Sequence, residues 1–178
     1  MAIHSSIDSL LGESLPELLY IAQVCISSHK DPKLWPAGGC YGYPAALLLL
    51  SIADSIGSYV IQKSTKENLR ILNNPNYYCL SIEDRHLDIL YDHYRNPLIH
   101  NSAMLINTRL RIGNKDDQVL IIKNNVPVLS LIPFYNSSVI AVENFLTNLP
   151  EISKNNRQIN NMMKKSITRK FGLEKLPC

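Results

Sequence analysis

From Pro44 to about Gln62 the chain is apolar nearly all the way along, with Ala45 to Leu50 uninterrupted and Ile52, Ala53, Ile56, Tyr59 and Val60 following. A helix that is apolar most of the way round has to be buried on most sides. Other elements must therefore pack around this one, and that requirement points to a mainly α fold, a helical bundle with this segment at its centre. Pro44 suits the first turn, where its missing N–H needs no partner. The run Ala45 to Leu50 falls far short of the ~20 residues a membrane span needs, so no membrane is expected as a partner.

Residues 3–28 repeat apolar side chains at three- and four-residue steps, through Ile7, Leu10, Leu11, Leu15, Leu18, Leu19, Ala22 and Cys25, and read as a second helix that Pro16 splits or kinks. Pro32, Pro36, Gly38, Gly39 and Gly42 make residues 29–44 a loop, and Trp35, Tyr41 and Tyr43 are expected to pack it onto the body. Ser64 and Glu67 have the spacing of a capping box for a short helix from Thr65 to Leu72. Asn73 to Asn76 reads as a turn. Ser81 is the expected cap of a long helix carrying Ile82, His86, Ile89, Leu90, Tyr94 and Leu98 near one stripe. After Asn101 the period shortens to that of strands. Met104–Ile112 and Gln118–Lys123 flank Gly113 to Asp117 as a hairpin signal, and Val126–Leu131 suits a third short strand. Helical spacing returns from Pro133 to Leu149, and residues 155–172 suit a last basic helix. The expected architecture is an up-and-down helical bundle with a small β-hairpin insertion after the long helix.

The 178 residues suit one domain, residues 1–153, with a basic tail or helix over residues 154–178. The net charge of +3 is unevenly spread. Residues 1–153 hold 11 Lys/Arg against 14 Asp/Glu, whereas 154–178 hold 7 against 1. A basic tail is a handle for phosphates, with Lys164, Lys165, Arg169 and Lys170 as the candidate RNA-binding residues; the plainer reading is a solubilising end. The N-terminus lacks the basic and apolar regions of a secretory signal. Cys25, Cys40, Cys79 and Cys178 are scattered with no C-x-x-C pair, which reads as reduced thiols in a cytoplasmic protein.

Late in the long helix stands Arg95-Asn96-Pro97-Leu98-Ile99-His100. Cleaving RNA without a metal requires a proton to leave the ribose 2′-OH, a proton to reach the 5′-oxygen, and support for charge building on the phosphate. Histidine, with an ordinary pKa of ~6.5, suits proton transfer. Arginine, always charged and forked, suits the phosphate oxygens. Five residues on a straight α-helix turn through roughly 140°, so Arg95 and His100 diverge unless the helix is altered. Two routes remain open: a bend at Pro97, or two copies meeting in a symmetric dimer so that each completes the other's site.

The pattern Arg95-Asn96-x-x-x-His100 resembles the signature of the HEPN superfamily. Ala45 to Tyr59 also looks like the central helix of bacterial HEPN-like proteins, and Tyr91-Asp92-His93-Tyr94 leads into the motif as their motif helix does; the likeness covers roughly residues 43–105. It implies an up-and-down bundle that dimerises with its motifs facing. It also implies metal-independent endoribonuclease activity, with neither cofactor nor metal, and Arg95 and His100 as catalytic residues, with Asn96 orienting the site or binding phosphate. A toxin or defence nuclease is one setting, with an antitoxin as protein partner.

Asp54 is expected to support the site. Mid-helix between Ile52, Ala53 and Ile56, it is costly to bury unpaired, and Arg95 or His100 is its natural partner. The competing reading is that Arg95 merely pairs with an acid such as Asp92 or Asp54, and that His100 and Asn101 end a helix where a cation is welcome. The chain would then be a non-catalytic interaction module binding a protein partner such as a nucleotidyltransferase. The acidic body favours that reading and the basic tail opposes it. His86 and His93 share a helix face but lack a third metal ligand. Gly57 is expected to let helices approach. Tyr77, Tyr78, Tyr91 and Tyr94 suit packing better than stacking on bases.

Overall fold

A computed structural model describes residue 4 and residues 6–155, and the tail lysines and arginines Lys164, Lys165, Arg169 and Lys170 lie outside the described residues. Helix α1 (Ile7–Ser27) starts where the Ser6 hydroxyl accepts from the Ser9 N–H, and it runs through Pro16. Helix α2 (Gly42–Val60) is the apolar segment. Ala45, Ala46, Leu49, Leu50, Ile52, Ala53 and Ile56 are fully buried on it, as a central helix requires. By length and hydropathy α2 would also pass for a membrane span, but α1, the last helix, and the helices between pack around it.

The capping box forms as expected. Ser64 and Glu67 bond reciprocally, and α3 (Thr65–Asn68) runs into a 3-10 turn over Leu69–Asn73. Gly57 lets α2 press against this corner. A Cβ built on Gly57 would stand 2.2 Å from the Asn68 carbonyl oxygen, a spacing no side chain tolerates. Asn73 then holds the return of the chain, donating to the Ile82 carbonyl at 2.6 Å and accepting from the Ile82 N–H at 2.9 Å. Because Asn73 uses Ile82 this way, the chain stays extended past Ser81. Helix α4 (Asp84–Ile89) begins only at Asp84, without a side-chain cap, so Ser81 is not the cap the sequence suggested.

The strands β1 (Arg109–Arg111), β2 (Leu120–Lys123) and β3 (Val126–Ser130) form one sheet in the order β1-β3-β2. The hairpin is β2–β3, not the two runs flanking Gly113 to Asp117. Its turn is Asn124-Asn125, both with positive φ (51° and 60°), the geometry that matches the twist of paired strands. β1 runs parallel to β3, with Arg109 opposite Val128 and Arg111 opposite Ser130. Helix α6 (Leu131–Asn155) follows directly and passes Pro150, and the basic helix expected over residues 155–172 lies almost wholly outside the described residues. Helices α1, α2 and α6 pack on one another. The loop over residues 28–41 is less well seated than its aromatic content suggested. Trp35 is 42% exposed and meets the edge of Tyr41, and Tyr43, in the first turn of α2, is 47% exposed. Loop closure here rests on backbone, through Lys30 N–H to Gly39 and Tyr41 N–H to Cys25.

Candidate active site

The motif lies on one helical stretch with a change of pitch inside it. After α4 the chain widens to a π-turn over Leu90–Arg95, where the Asn96 N–H reaches back five residues to the Tyr91 carbonyl, and then tightens again into α5 (Asn96–Asn101). Pro97 is the reason for a local change: it has no N–H to give, and its ring crowds the carbonyl four residues back. The backbone stays helical through Arg95 (φ −60°, ψ −54°) and Asn96 (φ −65°, ψ −48°), so Pro97 is accommodated by a wider turn, not by taking Asn96 out of helical geometry. The carbonyl of His93 is met from outside the helix. Ser102 adopts a left-handed conformation, the chain reverses, and the Leu105 N–H donates to His93 at 3.2 Å.

Arg95 points inward to α2. Its Nη2 donates to Asp54 Oδ2 at 2.5 Å, with the two side chains 14% and 19% exposed. The predicted partner of Asp54 is therefore the one it has. The ring of Tyr91, four residues earlier, lies under the guanidinium at 5.7 Å. That support was not foreseen, although residues four apart on a helix share a face. Asp92, the other acid near Arg95 in sequence, instead binds Lys66 at 3.1 Å, and Asp88 sits 3.4 Å from the same ammonium. One of the five guanidinium N–H donors is thus committed to Asp54, while Nε is buried without a partner among the described residues.

His100 stands apart. It is exposed at the end of α5, and no hydrogen bond or ion pair joins it to Arg95, Asp54 or Asn96 among the described residues. Asn96 is half-buried, and among the described residues no hydrogen bond joins its side chain to Arg95 or Asp54. Within one chain the structure therefore brings together Asp54, Tyr91 and Arg95 but leaves His100 unjoined to them. Ile99, Leu105 and Ile106 surround this end of the molecule as exposed apolar side chains, Ile106 90% exposed. His93, also in the π-turn, is half-buried with its Nδ1 enclosed and unpartnered among the described residues.

The motif helix is seated on the sheet by Tyr94. Its ring is fully buried, and its hydroxyl donates to the Pro127 carbonyl at 2.6 Å, with the Arg109 carbonyl 3.0 Å away as a second acceptor. Burial pushes the Tyr94 phenol up to about 12. Tyr94 is thus a structural residue and not a surface for bases. Tyr77 and Tyr78 are buried as well, and burial raises both phenols. In comparisons with known proteins, no family model, no curated protein and no solved structure matches the chain.

Proposed function

We propose that this chain is a metal-independent endoribonuclease of the HEPN type, acting as a homodimer built on an up-and-down bundle. The observation that carries the reading is the clamp on Arg95. An arginine in the R-x4-H pattern is held between the Asp54 carboxylate and the Tyr91 ring, while His100 stays in solvent on the same helix. In this reading Arg95 neutralises charge on the scissile phosphate, His100 moves the proton, and Asn96 binds a phosphate oxygen or orients the pair. The divergence of Arg95 and His100 along α5 is met by a second copy, whose motif supplies the complementary residue across a two-fold axis. Asp54 is a positioning residue acting through Arg95, because it presents the guanidinium and keeps it from turning into solvent.

A second reading has an observation of its own. The Asp54–Arg95 pair would tie α2 to the motif helix in a protein with no chemistry at all, and the exposed Ile99, Leu105 and Ile106 beside it suit a protein partner. The chain would then be an interaction module.

RNA cleavage in the presence of EDTA separates the two. Wild type, His100→Ala and Arg95→Ala are compared at matched oligomeric state. The nuclease reading expects cleavage by wild type, products ending in a 2′,3′-cyclic phosphate, and loss of at least about 10²-fold in both variants. Equal background in all three, across several RNAs, would overturn it and leave the interaction module.

A further inference from the structure

We propose that Cys25 and Cys40 are a dithiol site that closes reversibly to a disulfide, fastening the 28–41 loop to the end of α1. Their distance in sequence gives no hint of this, but the backbone brings them together. The Tyr41 N–H donates to the Cys25 carbonyl at 3.0 Å, which holds the Cys40–Tyr41 peptide directly against Cys25. His29 and Cys40 pair as a short antiparallel bridge, so the loop returns to where it left α1. Both thiols are free, partly buried, and packed against the same core. A disulfide spans a Cα separation of about 4.4–6.8 Å, so it needs the two backbones side by side, as this hydrogen bond holds them.

The two thiols differ in a way that orders the chemistry. Cys40 lines an open cavity of about 230 Å³ with Lys30, Gly38, Gly39 and Tyr43, so a small oxidant reaches it. Burial, and then the nearby Cys40, push the Cys25 thiol above its ordinary value. Cys40, the thiol that the cavity exposes, therefore attacks first, as its thiolate. With a low-molecular-weight disulfide such as oxidised glutathione, it bonds to one sulfur and expels one glutathione thiolate. The Cys25 thiolate then bonds to the Cys40 sulfur and expels the second glutathione thiolate. Two protein thiols are oxidised, one glutathione disulfide is reduced, and the two protons end on the released glutathione. Cys79, exposed on a separate turn, takes no part.

The test equilibrates the full chain in buffers of graded oxidised-to-reduced glutathione ratio, quenches by alkylation, and maps peptides without reduction. The expected result is a peptide joining Cys25 to Cys40 in wild type and in Cys79→Ser, and a glutathione adduct held on Cys40 in Cys25→Ser. Trypsin cleavage after Lys33, in the closed loop, should slow by about tenfold on oxidation of the wild type. Wild type in which Cys40 stays unmodified, retains its glutathione adduct, or links to Cys79 overturns the proposal.

Discussion

The Asp54 carboxylate meets the Arg95 guanidinium across the contact between α2 and the motif helix, 2.5 Å apart, with both side chains less than one-fifth exposed. A half-buried pair of this kind contributes little if both members are replaced together, but removing one member strands the other. We predict that Asp54→Ala destabilises by about 2 kcal/mol, that Asp54→Asn costs about 1 kcal/mol because the amide oxygen still accepts, and that the double variant with Arg95→Ala loses less than the sum. Urea unfolding of wild type, Asp54→Ala, Arg95→Ala and the double variant measures the coupling. For activity, Asp54→Asn should reduce cleavage while the fold stays intact. Wild-type activity in that variant would remove Asp54 from the site.

Gly57 and Gly12 make a contrasting pair. Both are helical, but a Cβ at Gly57 collides with the Asn68 carbonyl, whereas one at Gly12 meets nothing within 4 Å. Gly57→Ala is expected to cost about 3 kcal/mol or more, since backbone has to move. Gly12→Ala, on an exposed helical position, should stabilise by about 0.5–1 kcal/mol. Thermal melts decide both; a neutral Gly57→Ala would mean that the corner over Lys63–Asn73 shifts freely.

Pro97→Ala restores an N–H inside the motif helix. That donor competes for the His93 carbonyl, which Leu105 now occupies. Amide exchange should show the Leu105 N–H protected in the native protein and less protected in Pro97→Ala. Unchanged protection would separate the π-turn from the proline.

Alkaline pH provides a fourth test. Tyr94 is fully buried, and burial lifts its phenol from 10 to about 12, so the folded chain holds this proton more tightly than the unfolded chain. Its contribution is therefore complete below pH 10 and fades as pH rises from 10 towards 12. At pH 11 the loss from this group is on the order of 1 kcal/mol. Tyr94→Phe should be less stable at pH 8, with the Pro127 and Arg109 carbonyls losing their donor, yet lose less between pH 9 and 11 than wild type. Urea midpoints at the two pH values read it; parallel losses would assign the alkaline transition to the other buried tyrosines.

Much of the helical framework was legible because helical spacing and caps are local. The apolar stretch after Pro44, the Ser64–Glu67 box and the packing role of Gly57 all follow from side chains within a few residues of one another. The sheet was less so. The glycine at 113 drew attention to the wrong turn, while Asn124-Asn125, equally able to take positive φ, carried the real one. The parallel pairing of β1 with β3 joins residues separated by the hairpin itself, which no periodicity reports. At the site, burial arguments found Asp54 and its partner. The π-turn and the service of Leu105 to His93 depend on chain beyond the helix, and were invisible from the motif alone.

The Tyr94 hydroxyl has its stronger acceptor, Pro127, 33 residues further along the chain. During synthesis the motif helix therefore emerges well before the strand that seats it. A nascent chain ending between Asn101 and β3 carries Arg95 and His100 already but lacks the Pro127 carbonyl that receives the Tyr94 hydroxyl. The helix that carries Arg95 and His100 thus takes its footing from chain that follows it, and loss of β3 would unseat it without touching either residue.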